Sequence, residues 1–180
     1  MKLDLTEILA NVGMRLPYEI DEPPLVDEDL ECSARIKGRL TFTNTGSALL
    51  VDGRARTKVA LPCSRCLTYF EAEVETPLGE DFLIEARRFG PRGRVIPTVV
   101  EEDESPIAGK LFDGPLFDLT ELLRQNITLA LPSRPLHDEA CKGLCPACGQ
   151  DLNEGACACD TRVVNPALAK LGELLESRGN

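Results

Sequence analysis

Between Leu30 and Phe42 the chain alternates between apolar and polar residues. Leu30, Cys32, Ala34, Ile36, Gly38, Leu40 and Phe42 fall on one side, and Glu31, Ser33, Arg35, Lys37, Arg39 and Thr41 on the other. In an extended chain successive side chains point to opposite faces, so the stretch predicts one long, half-buried strand. Asn44-Thr-Gly46 supplies turn chemistry. The return strand turns Leu49, Val51, Gly53, Ala55, Val59 and Leu61 inward and Asp52, Arg54, Arg56 and Lys58 outward. A third strand buries Phe70, Ala72 and Val74 behind Glu71, Glu73 and Glu75, and Phe82 and Ile84 predict a fourth.

Keeping both apolar sets on one face suggests a register with Arg35 opposite Arg56 and Lys37 opposite Arg54. Like charges in such pairs are unfavourable without a nearby anion. The third strand offers anions, with Glu71 facing Lys58, Glu73 facing Arg56 and Glu75 facing Arg54. A solvated charge ladder is therefore favoured over a phosphate-binding face.

The period changes to 3.6 further on. Leu119, Leu122, Leu123 and Ile127 follow Asp118-Leu-Thr-Glu121, a capping-box pattern, and Pro132 ends the segment. This helix should cover the apolar face of the sheet. Asn165-Pro166 opens a second helical pattern, with Leu168, Leu171, Leu174 and Leu175 in one stripe. Near the N-terminus, Leu3, Leu5, Ile8 and Leu9 fit a strand or a short turn of helix, and Asp21-Glu-Pro-Pro24 reads as a loop. The predicted class is α+β: a twisted antiparallel β-meander, with scope to curl toward a barrel, packed by one helix. Residues 1–135 form this domain, and residues 136–180 form a Cys-rich tail with a short final helix.

Composition narrows the chemistry. The formal net charge of −10 disfavours a nonspecific nucleic-acid binder, whose affinity comes largely from neutralising phosphates. Trp is absent and aromatics make up 4%, too few for a single-strand stacking platform. No apolar run approaches a membrane span, and the N-terminus lacks the pattern of a signal peptide, so the expected compartment is the cytoplasm. There, closely spaced cysteines read as metal ligands rather than disulfides.

Five of the eight cysteines lie between Cys141 and Cys159. Cys145-Pro-Ala-Cys148-Gly149 has the form of a metal knuckle. The two-residue gap aims both sulfurs at one ion, and Gly permits the turn that points backbone N–H groups at them. Cys157-x-Cys159 closes a tetrahedral set, Cys141 is a fifth thiolate within reach, and His137 is an available imidazole. Compact thiolates favour a single structural zinc ion, with iron as the other candidate and a redox switch as the rival reading. Cys63-Ser-Arg-Cys66, between the second and third strands, is a candidate second half-site. It could join two tail thiolates on a shared ion or stay reduced at the hairpin tip. It does not open a helix in a βαβ unit, which argues against a thioredoxin-type pair. Cys32 reads as a small core residue. Residues 87 to 115 look least regular. There Arg87, Arg88, Arg92 and Arg94 are candidates for contacting RNA phosphate, and a plain solvated loop is the competing reading.

Three blocks resemble one family. Leu61-Pro-Cys-Ser-Arg-Cys-Leu67, Asp118-Leu-Thr-Glu-Leu-Leu-Arg-Gln-Asn-Ile-Thr-Leu-Ala-Leu-Pro132 and Cys141-Lys-Gly-Leu-Cys-Pro-Ala-Cys-Gly-Gln-Asp-Leu-Asn153 are similar, in order, to motifs of the YceD-like family of large ribosomal RNA subunit accumulation proteins. The resemblance implies a non-enzymatic factor supporting large-subunit ribosomal RNA and ribosome assembly, through RNA, precursor particles or a ribosomal protein. Some members of that family lack the C-terminal cysteines, which makes the metal a stabiliser of the tail. The family's Asp-Pro-Arg opening of the last helix reads Asn165-Pro166-Ala167 here. Two other readings are a zinc-stabilised protein–protein adaptor without RNA contact, and an enzyme such as a nuclease, which would need an open metal position. One His, no phosphate-cradling Gly-rich loop and no nucleophile motif leave little for catalysis, and neither a membrane nor a small-molecule substrate is implied.

Overall fold

The computed structural model describes residues 1–27, 30–89, 94–100 and 110–159. Its elements run β1 (Lys2–Asp4), α1 (Thr6–Ala10), β2 (Arg15–Glu22), β3 (Ile36–Asn44), β4 (Ala48–Pro62), β5 (Tyr69–Phe89), β6 (Arg94–Val100), β7 (Phe112–Asp113), β8 (Leu116–Asp118) and α2 (Leu119–Ala130). Two compact units emerge. One holds residues Met1–Leu61 and Tyr69–Pro135, and the other holds Pro62–Thr68 with the chain from Leu136 onward. The hairpin tip between β4 and β5 therefore groups with the cysteine tail.

The first unit is an antiparallel sheet protein with packed helices. Its main sheet has the order β2-β3-β4-β5-β6 and a smaller one the order β1-β8-β7. The main sheet is an open meander with β2 and β6 at its edges, so it is not closed into a barrel. The expected third and fourth strands are one strand, β5, whose far end pairs with β6 from Leu83↔Val100 to Phe89↔Arg94. The irregular stretch expected from residue 87 therefore begins as a two-strand ribbon.

The alternating stretch follows its expected burial, with Leu30, Cys32, Ile36, Leu40 and Phe42 all buried. It is not one uninterrupted strand. Cys32 bridges Val59, whereas Lys37 pairs with Arg56 and Arg39 with Arg54. Five residues separate Cys32 from Lys37 on one side, against three from Arg56 to Val59 on the other. Two extra residues thus bulge out before β3, and an even insertion leaves every later side chain on its original face. The suggested register is corrected accordingly: Lys37, not Arg35, lies opposite Arg56. Arg35 instead reaches Asp21 on β2, with Nε 2.7 Å from Oδ1. Two of the expected pairs to β5 are present, with Arg54 and Glu75 3.5 Å apart and Lys58 and Glu71 3.6 Å apart. At the centre of the sheet Gly53 admits close strand approach, since a Cβ there would lie 3.0 Å from the Cα of Leu40 and overlap the Arg39 carbonyl oxygen.

Asn44 fixes the first hairpin. Its buried side-chain Nδ2 donates to the carbonyls of Ile8 (2.8 Å) and Leu9 (3.1 Å) on α1, and its Oδ1 accepts from Gly46 N (2.7 Å). These bonds give further partners to carbonyls at the end of the short helix, where Ile8 O also accepts from Asn11 N (3.2 Å). They also make Asn44↔Leu49 the last pair of the ladder.

The core lies between the main sheet, the small sheet and the helices. Phe117 of β8 is fully buried and meets Phe42 edge-on at 5.3 Å between centroids, Phe112 at 5.0 Å and Phe82 at 6.3 Å. Helix α2 starts as the sequence predicts: the Asp118 side chain accepts from Glu121 N at 3.2 Å, a cap worth about 1 kcal/mol. It buries Leu119, Leu122, Leu123 and Ile127 and packs on β5 and β1. The N-terminal segment provides both of its expected forms, the strand β1 followed by the helix α1. Cys32 is a core residue, and burial pushes its thiol pKa up. The expected final helix at Asn165–Pro166 lies outside the described residues.

Candidate metal centre

The second unit is assembled from two short knuckles. In the first, at the β4–β5 tip, Leu67 N donates to Cys63 O (2.9 Å) and Cys63 N to Thr68 O (2.9 Å). In the second, Gly149 N donates to Cys145 O (2.9 Å) and Cys145 N to Gln150 O (2.8 Å). The residue after the second cysteine has positive φ in both: Leu67 at 63° and Gly149 at 74°. Glycine adopts that conformation freely, whereas leucine there costs on the order of 1–2 kcal/mol.

The first knuckle is held to the tail by the Arg65 side chain and by one backbone bond. Arg65 Nη1 donates to Glu139 O (3.0 Å) and Cys141 O (2.7 Å), and Leu144 N donates to Arg65 O (3.0 Å). Gly143, at φ 75°, makes the approach possible, because a Cβ there would sit 2.9 Å from Arg65 O. Asn153 braces the same corner: its Oδ1 accepts from Lys142 N (2.8 Å), and its Nδ2 points at Cys141 Sγ (3.4 Å).

These contacts gather the ligating side chains into two groups. Cys63, Cys66, His137 and Cys141 form one, and Cys145, Cys148, Cys157 and Cys159 the other; within each group the ligand atoms lie within 4.8 Å of one another. Cys141, which sequence spacing places with the four later cysteines, stands instead with the hairpin tip. Cys63 Sγ lies 3.8 Å from Cys141 Sγ, and Cys66 Sγ lies 3.4 Å from His137 Nδ1. Zinc–sulfur and zinc–nitrogen bond lengths give tetrahedral edges of about 3.8 Å for S···S and about 3.5 Å for S···N. These two donor pairs therefore stand at the separations that a four-coordinate ion requires. The cysteines are free thiols.

The leading cysteine of each knuckle has an acidified thiol. Burial pushes the Cys63 pKa up, but hydrogen bonds centred on the backbone N–H groups of His137, Arg65 and Cys66 outweigh it and bring the thiol to about 5. For Cys145 the N–H groups of Cys148 and Ala147 act first, and the thiol falls to about 6. Cys159 is pushed up to about 12, chiefly by its hydrogen bond to Cys148. Cys63, Cys66, Cys141 and Cys145 are buried, whereas Cys148 and Cys159 are exposed. A metal taking all four donors of either group would have no position left for water or substrate.

Of the arginines named from sequence, Arg87 and Arg88 lie on β5 and Arg94 begins β6, where it pairs with Phe89. Arg92 lies outside the described residues. Sequence reasoning left the role of His137 open and missed that of Asn153. The signal for His137 was its place four residues before Cys141.

Fold and site together define an α+β protein carrying a cysteine-built unit suited to holding metal ions. Residues 51–175 match the model of the family described as large ribosomal RNA subunit accumulation protein YceD, and the chain belongs to that family. It is also 30% identical over 166 residues to uncharacterized proteins of Mycobacterium bovis and of two strains of Mycobacterium tuberculosis, covering 92% of this chain and 69% of each relative. No solved structure matches. Among the described residues no helix is long and apolar enough to cross a membrane.

Proposed function

We propose that the chain is a non-catalytic accessory in the accumulation and processing of large-subunit ribosomal RNA, and so in ribosome assembly. It acts by binding precursor particles in the cytoplasm, through RNA or through a ribosomal protein. The observation that carries this reading is the family match, which runs from β4 through both cysteine groups. The donor groups support a binding role, because a filled set of four ligands serves folding rather than chemistry. Zinc is the ion we assign, since compact thiolate and imidazole donors suit it and it brings no redox chemistry. Arg87, Arg88 and Arg94, at the end of the β5–β6 ribbon, together with Arg92 are our candidates for phosphate contact.

The net charge of −10 supports a second reading, a zinc-stabilised protein–protein adaptor that affects RNA only indirectly. In-cell crosslinking with sequencing of the recovered RNA separates the two. Direct contact predicts enrichment of one large-subunit precursor region. Replacing Arg87, Arg88, Arg92 and Arg94 together by Ala should then lower recovery roughly tenfold, as expected for several lost phosphate contacts. Undiminished recovery from that variant would clear the ribbon. Recovery at background, in an experiment where a known binder succeeds, would establish the adaptor reading.

A further inference from the structure

We infer that the chain holds two zinc ions at separate sites, one in the Cys63, Cys66, His137 and Cys141 group and one in the Cys145, Cys148, Cys157 and Cys159 group. The inference rests on the zinc reading above for the identity of the ion, and on geometry for the number and the partition.

The first argument is that the same backbone device occurs twice. Each knuckle closes with a hydrogen bond from the residue after its second cysteine to its first cysteine's carbonyl, and with one from the first cysteine's N–H to a carbonyl five residues on. In each, the residue after the second cysteine has positive φ. At Cys145-Pro-Ala-Cys148-Gly149 the sequence supplies glycine for that position. At Cys63-Ser-Arg-Cys66-Leu67 it does not, yet the backbone adopts the form with an exposed leucine in place. A conformation unfavourable for its residue persists where the surroundings dictate it. What this backbone accomplishes in both places is to turn two sulfurs toward one point.

The second argument is that each knuckle has its own complementary pair. His137 and Cys141 stand over the first and Cys157 and Cys159 over the second, giving four donors each with none shared. Cys141 cannot serve as a spare ligand for the later cysteines while it sits 3.8 Å from Cys63 Sγ and accepts from Asn153 Nδ2. The anchoring of Arg65 to Glu139 O and Cys141 O, together with the Gly143 approach, shows a corner built to hold the hairpin tip against the tail. The two sites differ chemically: the first has three sulfurs, one imidazole and mostly buried ligands, and the second has four sulfurs with Cys148 and Cys159 open to solvent.

The experiment is native mass spectrometry of the full chain purified with zinc, followed by cobalt substitution. The wild type should carry two ions. His137→Ala should carry one, and so should the double variant Cys157→Ser, Cys159→Ser. His137→Cys should again carry two, and its cobalt spectrum should shift to lower energy as an imidazole is replaced by a weaker-field thiolate. A single ion on the wild type, or two on His137→Ala, would overturn the partition and leave the proposed function standing. An unshifted cobalt spectrum in His137→Cys would remove His137 from the ligand set. A chain that takes up cobalt and iron but no zinc would overturn the identity of the ion without touching the count.

Discussion

Stripping metal from the chain at neutral pH is expected to unfold the cysteine unit and leave the sheet unit folded. Among the described residues the buried hydrophobic side chains of the cysteine unit are Cys63, Cys66, Cys141 and Cys145. Among the described residues its cross-strand pairing, beyond the end of β4, is the single bridge Leu144–Asp151. A core made of sulfur offers little apolar area to offset the entropy of ordering the segment. Apparent binding energies for structural zinc are on the order of 10 kcal/mol, and in such small units they are the folding energy. Once the ion leaves, the donors at 3.4 Å and 3.8 Å become crowded sulfurs and an imidazole with nothing to coordinate. Hydrogen exchange read by peptide should therefore show residues 62–68 and 136–159 losing protection on addition of a strong chelator, while β3, β4 and α2 keep theirs. Retained protection in the cysteine unit would contradict a structural metal.

Replacing Phe117 with Ala should be the most damaging single change in the sheet unit. The ring is fully buried and touches Phe42 from the main sheet, Phe112 from the small sheet and Phe82 from β5. Phe→Ala at such a position costs about 3–5 kcal/mol, the lost transfer energy plus the cavity. Phe117 also lies beside Asp118, the cap of α2, so loosening β8 disturbs the start of the helix that covers the sheet. For a unit of this size the loss corresponds to a fall in Tm of roughly 10–15 °C. The metal content of the folded fraction should be unchanged, because no ligand lies in that core. A midpoint within a few degrees of wild type would mean that the four rings are not the packing centre described here.

Sequence showed which side chains would be buried better than where the strands would pair. Alternation from Leu30 to Phe42 located the core face, and its burial is as expected, but a bulge of two residues leaves a period of two intact. No pattern of apolar positions can reveal such a bulge; it appears only when Cys32 meets Val59 and Lys37 meets Arg56. The first turn lies where its residues place it, with Gly46 at φ 96° and its N–H donating to Asn44 Oδ1. What the pattern could not show is that Asn44 also holds the carbonyls of Ile8 and Leu9, some 35 residues earlier in the chain. The Asp118 cap of α2 needed only local chemistry and was legible, whereas the Asp118 N–H donates to Leu111 O, a partner the local pattern does not announce.

The cysteine unit was legible in half for the same kind of reason. Cys145-Pro-Ala-Cys148-Gly149 announces its turn with a glycine, whereas the matching turn at Cys63 has Leu67 in that place and looked incomplete. Its complementary ligands stand 71 to 78 residues further along the chain. Spacing groups residues that are near in sequence, so Cys141 was placed with its neighbours. The fold, by returning a hairpin tip to the tail, gives it other partners.

A chain that supports accumulation of large-subunit ribosomal RNA should set the ratio of large- to small-subunit RNA in cells, which is read after depletion of the protein. That ratio is expected to fall on depletion and to recover with the wild-type chain. A ratio that stays at its normal value through depletion, with the protein confirmed absent, would contradict that role.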